Sequence, residues 1–142
     1  MQPMAAKFVL WHEFDANRPV VLLAEDEPII RFDIADELRR LGCQVIEASN
    51  ADEAIDVVKS TARLDLVVTD VRMPGNRDGL DVARAVRQER PGLRTVIMSG
   101  HLAPNEEHGH LIDLFVSKPT QSDQLATAIM AMIEASPAKR DG

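Results

Sequence analysis

The sequence predicts an α/β protein in which a doubly wound, five-stranded parallel sheet is covered by helices on both faces. Two kinds of segment alternate through residues 19–135. One kind is a short apolar run without polar alternation, which is typical of parallel strands that are buried on both faces. The other kind has apolar residues at helical spacing. Because strand is followed by helix five times, right-handed crossovers are expected to place helices on both sides of one sheet.

The apolar runs are the predicted strands. The third run leads straight into Asp70, although aspartate is seldom buried without a partner. This position therefore needs an explanation beyond core packing. In chain order the predicted strands are residues 20–24, 45–46, 64–69, 95–98 and 111–116.

The first two helices are predicted from apolar stripes with recognisable ends. The first follows Pro28, which suits the first turn of a helix because its missing N–H has no partner there anyway. Gly42 follows this stripe as a C-terminal cap. The second helix begins behind the capping residues Ser49 and Asn50. The stripes are Ile30, Ile34, Leu38 and Leu41 in the first helix, and Ala51, Ala54, Ile55 and Val58 in the second.

The third and last helices are predicted in the same way, whereas the fourth crossover differs. The third helix ends before Pro91, and the last follows Thr120, which forms a capping-box pattern with Asp123. Between the fourth and fifth strands, "GHLAPNEEHGHLID" contains Pro104 and Gly109 and has no apolar stripe, so we expect a short or irregular fourth helix. The stripes of the third and last helices are Leu80, Ala83 and Val86, and Leu125, Ile129, Met132 and Ile133.

Composition and charge narrow the function classes. The chain has 142 residues, enough for one domain with a substantial core. A net charge of −7 disfavours binding to nucleic-acid phosphates or anionic lipid. Cys43 is the single cysteine, so no internal disulfide can form. The apolar run 8–11 is too short for a signal sequence or a membrane span. We therefore expect a cytoplasmic protein without direct contacts to nucleic acid or membrane.

Polar residues collect where the predicted strands end. Each has an ordinary explanation when taken alone, such as the start of a solvated loop or a turn before a helix. In open parallel sheets, however, binding sites lie beyond the C-terminal ends of the strands. The residues at those ends are Glu25, Asp26 and Glu27 after the first strand, Asp70 after the third, Ser99 after the fourth and Lys118 after the fifth. Together, they predict one site.

The chemistry of this group points to a cation and a phosphoryl group. Carboxylates held close together repel one another unless a cation compensates them. Oxygen ligands of this kind suit Mg²⁺, which is usually bound by one or two carboxylates together with phosphate oxygens. An aspartate beside the metal can attack phosphorus as a nucleophile. A lysine and a hydroxyl can then neutralise charge on the phosphoryl oxygens.

At these residues the sequence resembles the receiver domains of two-component response regulators. The resemblance covers roughly residues 19–135 and rests on an ordered set of motifs: "VVLLAEDEP", "LVVTDVRMPG", "DGL", "VIMSGH" and "FVSKP". Each motif is weak by itself, whereas the ordered set is specific. The resemblance implies a flavodoxin-like (βα)5 fold with strand order 2-1-3-4-5.

The resemblance also implies roles for the residues at the strand ends. Asp70 corresponds to the phosphoacceptor. The metal, Mg²⁺ or Mn²⁺, would be bound by Asp26 and Asp70, by Glu25 through water, and by the backbone carbonyl of Arg72. Glu25 departs from the family, which more often has aspartate there, but its longer side chain still suits a role through water. Lys118 would pair with carboxylate or phosphoryl oxygens.

Further roles follow from the same resemblance. Ser99 would bind the phosphoryl group, and Phe115 would be the aromatic residue that rearranges in response. Arg72 and His101 lie two residues beyond Asp70 and Ser99, where they either tune hydrolysis or are ordinary exposed loop residues. Phe32 is predicted on the polar face of the first helix, where it could contact the phosphodonor.

We thus expect a stand-alone receiver that takes a phosphoryl group from a histidine kinase or a histidine phosphotransfer protein and acts on a downstream protein partner. Its irregular fourth helix suggests a remodelled output surface and a possible homodimer. The expected organisation is an N-terminal extension (1–18), the receiver domain (19–135) and a C-terminal tail (136–142). Apart from self-phosphorylation from a phosphodonor and slow autodephosphorylation, no enzymatic activity is expected.

Other functions fit the same residues less well. A receiver-like binding module that works without phosphorylation is the alternative, which the intact acidic and lysine set disfavours. A dehalogenase-like phosphatase needs a second aspartate where this chain has Arg72. A flavodoxin needs a Ser/Thr/Gly loop after the first strand, where this chain has "EDE". Neither enzyme class fits.

Overall fold

A computed structural model describes residues 15–100 and 108–135, which form a parallel sheet covered by helices. The strand order is β2-β1-β3-β4-β5, as the resemblance implied. The strands are β1 (Val20–Ala24), β2 (Gln44–Ala48), β3 (Leu66–Asp70), β4 (Thr95–Ser99) and β5 (Leu114–Ser117). The helices are α1 (Pro28–Arg40), α2 (Ala51–Lys59), α3 (Gly79–Glu89), α4 (Ser122–Ala135) and a short 3-10 helix (Gly109–Leu111). This confirms the predicted fold class.

The sheet register brings the C-terminal strand ends to one edge. Ala24 of β1 pairs with Ala48 of β2 and Thr69 of β3. Asp70 then pairs with Met98, one residue before the end of β4. Polar side chains that follow these strands therefore start from neighbouring positions.

Alternating residues of the strands face two separate cores. On one face, Val20 and Leu22 of β1 pack with α2 and α3. On the other, Val21 and Leu23 pack with α1 and α4. Because both faces of the strand are covered by helices, apolar residues are favoured at every position along it. The continuous apolar runs are thus explained.

The ends of α1 largely match the sequence prediction. Pro28 is its first residue, and Gly42 follows with a φ of 103°, a conformation that glycine adopts without strain. Leu41, however, was predicted in the buried stripe and is 44% exposed. It lies at the C-cap, beyond the last helical turn, where the helix no longer holds it against the core.

The caps of α2 and α4 refine the prediction. Asn50 caps α2 by accepting a hydrogen bond from the Glu53 amide at 2.8 Å, whereas Ser49 bonds to the Glu53 carboxylate. α4 begins at Ser122, two residues after Thr120. The Leu125 amide donates to the carbonyl of Gln121, which is therefore the residue that precedes the first helical turn. Thr120 is therefore not the N-cap residue that the sequence pattern predicted.

Two strands begin later than predicted. β3 begins at Leu66, the first residue that pairs with β1, and ends at Asp70; Leu64 lies before this pairing starts. β5 begins at Leu114 because Leu111 belongs to the 3-10 helix, where its amide bonds to the carbonyl of His108. Apolar character alone could not distinguish a buried helical residue from a buried strand residue.

Within the described residues between β4 and β5, the 3-10 helix Gly109–Leu111 is the helical element, which confirms the short fourth helix. Residues 101–107 lie outside the described part of the chain, as do 1–14 and 136–142. The predicted limits of the extension and the tail therefore stay predictions. Among the described residues, no helix is both long and apolar enough to cross a membrane.

Candidate functional site

Lys118 joins two of the predicted site residues. Its ammonium Nζ lies 2.9 Å from Oδ2 of Asp70 and 3.1 Å from Oε1 of Glu25. The lysine directly follows β5, Asp70 ends β3, and Glu25 directly follows β1. Three separate segments therefore meet at one ion-pair network, as the strand-end rule predicts.

Asp70 is held by the backbone around it. It is 7% exposed and is the last residue of β3. The Val71 amide continues the sheet by donating to the Met98 carbonyl at 3.0 Å. Gly79 at the start of α3 packs against this strand end, and its amide donates to the Val71 carbonyl at 2.8 Å. These contacts fix the main chain from which the Asp70 carboxylate projects.

Glu25 is fully buried, with a partner for each carboxylate oxygen. Oε1 accepts from Lys118, and Oε2 accepts from the Glu27 amide at 3.1 Å. A buried carboxylate requires such partners. Because both oxygens already have a donor within the chain, Glu25 is less suited to direct metal ligation than Asp26. The role of Glu25 through water stays a prediction.

Three carboxylates converge beside Lys118. Glu25, Asp26 and Asp70 each place an oxygen so that all three atoms lie within 4.8 Å of one another. One ammonium group neutralises only part of this negative charge. The donor set consists of oxygens, and Asp26 is half-exposed, so a divalent cation with bound water fits this position.

The titration behaviour reflects this charge distribution. Burial raises the pKa of Glu25 above its ordinary value, although the Glu27 amide and Lys118 oppose the shift. Partial burial of Lys118 favours its neutral form, but hydrogen bonds to Asp70 and Glu25 outweigh burial and raise the pKa of Lys118. Lys118 therefore remains a cation at neutral pH and stabilises a negative charge on Asp70.

An open cleft of about 710 Å³ adjoins the carboxylates. Asp26, Asp70 and Lys118 line it together with Ser99 and Arg72. Ser99 is a buried residue at the end of β4, and the Arg72 side chain is exposed. The cleft is large enough to admit a phosphoryl group and water beside the acidic cluster.

The remaining predicted residues lie at different places. Phe115 is half-buried and packs beside Ile97, Leu111 and α3 rather than in the cleft. Phe32 is 56% exposed on α1, as its helical angle indicates. His101 lies outside the described residues.

Sequence reasoning missed two features of α1. Ile29 is 77% exposed and shares a helix face with Phe32, since residues three apart are neighbours on a helix. This spacing was a signal that could have identified the pair. Arg31 donates from Nη1 to the Glu25 carbonyl at 2.9 Å. No spacing rule predicts that contact, because it depends on how α1 leaves the loop.

The sequence matches a known protein family and solved structures. The family described as "Response regulator receiver domain" matches residues 21–130. A response regulator receiver protein from Sinorhizobium medicae is 35% identical, with a TM-score of 0.75, and the alignment covers 85% of this chain and 98% of that chain. TrrA from Thermotoga maritima, solved in complex with Mg²⁺ and BeF, is 26% identical, with a TM-score of 0.70, over 80% and 98% of the two chains.

A curated relative matches over a shorter stretch. The transcriptional regulatory protein PdtaR from Mycobacterium tuberculosis is 42% identical over 71 residues, which is 49% of this chain and 34% of PdtaR. The match spans about a third of that protein. The family match covers most of the present chain, and the observed strand order agrees with it. The chain therefore belongs to the response regulator receiver domain family, whose members are signalling modules of two-component systems.

Proposed function

We propose that this chain accepts a phosphoryl group on Asp70 from a phosphohistidine of a histidine kinase or histidine phosphotransfer protein. A carboxylate oxygen of Asp70 forms a bond to phosphorus while the nitrogen–phosphorus bond of the donor breaks. The imidazole leaves with the bonding electrons and takes up a proton. Asp70 needs no general base, because the attacking carboxylate is already ionised.

The observation that carries this proposal is the placement of Lys118 between Glu25 and Asp70. Its Nζ lies within hydrogen-bond distance of both carboxylates at the edge of an open cleft. A cation held there stabilises the ionised nucleophile and can pair with phosphoryl oxygens as their charge develops. An ion pair that only stabilises the fold requires neither the third carboxylate, Asp26, nor the open cleft beside it.

The acidic cluster is suited to Mg²⁺ or Mn²⁺. Asp26 and Asp70 would bind the metal directly, Glu25 would act through water, and the Arg72 backbone carbonyl would complete the protein ligands. When bound, the metal neutralises negative charge on the phosphoryl oxygens. Lys118 keeps its contact with Glu25 while pairing with the acceptor.

Phosphorylation would act as a switch through residues around the acceptor. We propose that Ser99 binds the phosphoryl group and that Phe115 changes its packing against Ile97 and Leu111 in response. Covalent modification then favours the state that makes these contacts better. Arg72 and His101 are proposed to tune hydrolysis by orienting or blocking water. The proposed reactions are then self-phosphorylation from a phosphodonor and slow autodephosphorylation.

We also propose a docking role for Phe32 and a protein partner for the output. Phe32 and Ile29 expose apolar surface on the helix that begins beside Asp26. Signalling would proceed through a downstream protein or a homodimer rather than through nucleic acid or membrane.

A cytoplasmic location agrees with Cys43 being a buried free thiol. The stand-alone organisation stays a prediction, which the intact mass of the endogenous protein tests.

The test is intact-mass analysis of the full chain after incubation with a small acyl phosphate and Mg²⁺. We expect the wild type to gain one phosphoryl group and Asp70→Asn to gain none, because an amide is a poor nucleophile. Omission of Mg²⁺ should prevent the gain in the wild type. If the wild type remains unmodified, the alternative of a phosphorylation-independent binding module replaces this proposal.

A further inference from the structure

Arg31 connects α1 to the acidic loop that follows β1. Its side chain is only 14% exposed. Nη1 donates to the Glu25 carbonyl at 2.9 Å, and Nε lies 3.1 Å from Oε1 of Glu47 on β2. The guanidinium carbon also lies 5.3 Å from the centre of the Phe32 ring. Three different contacts therefore fix the guanidinium in one orientation.

The carbonyl that Arg31 contacts belongs to the peptide between Glu25 and Asp26. The other side of Glu25 is also held, because its amide donates to the Ala48 carbonyl at 3.0 Å. Hydrogen bonds from a guanidinium are directional and stronger than those between neutral groups. Arg31 thereby sets the plane of the peptide from which Asp26 begins.

The Asp26 carboxylate depends on this backbone for its position. Within residues 15–100 and 108–135, Asp26 has no side-chain hydrogen bond and no ion pair. Glu25 is fixed by Lys118 and Glu27, and Asp70 is fixed by Lys118. Of the three carboxylates, Asp26 is the one whose placement rests on its main chain.

We propose that Arg31 is a positioning residue for divalent-cation binding, which holds Asp26 within reach of the metal through the Glu25 carbonyl. Glu47 keeps Arg31 in the required orientation. The inference rests on the proposed function, in which Asp26 is a metal ligand. Residues that orient metal ligands affect affinity by about 10-fold to 100-fold when they are removed.

The experiment compares Mg²⁺ affinity in the full chain by isothermal titration calorimetry. Arg31→Ala should raise the Kd for Mg²⁺ about 10-fold. Arg39→Ala is the matched control: Arg39 lies on the same helix and pairs with Oε2 of Glu47 at 3.0 Å, but its other hydrogen bond goes to the Val45 carbonyl rather than to Glu25. The affinity of the Arg39→Ala variant for Mg²⁺ should equal that of the wild type.

A second measurement separates positioning from general structural damage. Higher Mg²⁺ concentrations should restore phosphorylation of Arg31→Ala by a small acyl phosphate, because the acceptor and Lys118 are unchanged. Thermal unfolding checks each variant. If Arg31→Ala does not fold, Arg31→Lys carries the test, since it keeps the charge but not the forked geometry, and it too should bind Mg²⁺ more weakly.

The outcomes distinguish this inference from the proposed function. Wild-type affinity in a folded Arg31→Ala or Arg31→Lys variant overturns the role of Arg31 and leaves the metal site standing. Equal losses in the Arg31 and Arg39 variants also overturn it, because the effect would then come from Glu47. If neither the wild type nor Asp26→Asn binds Mg²⁺, the proposed metal site itself fails, and this inference fails with it.

Discussion

At the scale of single residues, the chain tolerates buried polar groups by giving each one a specific partner. Glu25 is fully buried, yet Lys118 and the Glu27 amide each contact one of its oxygens. Removal of either partner would leave a carboxylate oxygen without a donor in a place that water scarcely reaches. The site residues are thus mutually dependent, because each supplies a hydrogen-bond partner that another one needs.

Cys43 shows a different case, a buried titratable group at which the nearby cation of Arg18 does not outweigh the effect of burial. Burial raises the pKa of its thiol to about 11, although Arg18 opposes the shift. A raised thiol pKa means that the folded state retains its proton while the unfolded state loses it. Between the two pKa values the unfolded state binds fewer protons, so the stability of the fold declines as pH rises.

We expect the free energy of unfolding of the wild type to fall by about 1 kcal/mol more than that of Cys43→Ala between pH 8 and pH 10. Urea denaturation under reducing conditions at the two pH values measures this difference. Cys43→Ala is the control because it retains every lysine. Parallel pH dependence in the two proteins would contradict the raised pKa.

At the scale of secondary-structure elements, α3 has to begin very close to the strand that carries the acceptor. Asp78 caps the helix, and Asp81 returns a hydrogen bond to the Asp78 amide at 2.9 Å. Gly79 then packs directly on the backbone of Asp70 and Val71. The motif "DGL" therefore combines a helix cap with a residue small enough for this approach.

Gly79→Ala should destabilise the protein by about 1–3 kcal/mol, a cost typical of overpacking. An added Cβ would clash with the Asp70 carbonyl oxygen and lie 2.8 Å from its carbonyl carbon and 2.9 Å from Cα of Val71. These are backbone atoms, so the start of α3 would have to move. Chemical denaturation measures the effect.

Gly109→Ala is the matched control for this substitution. A Cβ at Gly109 meets no heavy atom within 4 Å, and its φ is not positive. Its stability should remain within about 0.5 kcal/mol of the wild type, as is usual for surface substitutions. Equal stabilities of the two variants would show that α3 can shift away from Asp70 without cost.

At the scale of the whole molecule, α1 and the residue before it expose both apolar and acidic side chains beside the cleft. Ile29 and Phe32 stand out on α1. Glu27, Asp33 and Asp36 of the same segment are also exposed. Exposed aromatic residues near the centre of an interface often dominate binding energy, whereas charges around them steer association. The docking proposed for Phe32 would require a phosphodonor with a basic, partly apolar face.

Phe32→Ala should slow phosphotransfer from a phosphorylated histidine kinase domain about 10-fold, as expected for a hot spot of 1–2 kcal/mol. Its rate with a small acyl phosphate at saturating Mg²⁺ should change little, because that donor needs no docking face. The measurement is the loss of label from the kinase domain that donates to the wild type. Leu41→Ala, at an exposed apolar residue that directly follows α1, is the control. Equal rates with both donors would contradict docking at Phe32.

Much of the candidate site was predictable because parallel topology converts positions along the chain into positions in space. Asp70, Glu25 and Lys118 each lie at or directly after a strand end, and the strand ends meet at one edge. Gly79 appeared in the sequence only as part of a motif. Its close approach to Asp70 depends on the angle at which α3 leaves the loop.

The amino-acid sequence by itself determined the fold class, the buried faces and the residue types at the strand ends. Apolar periodicity and the order of strands and helices contain this information, since they depend on local spacing. Tertiary structure alone decided that Lys118 lies between two carboxylates, that both oxygens of Glu25 have donors, and that Arg31 holds the Glu25 carbonyl. Such contacts join distant segments within a few ångströms, a precision that only the packed arrangement of helices on the sheet provides.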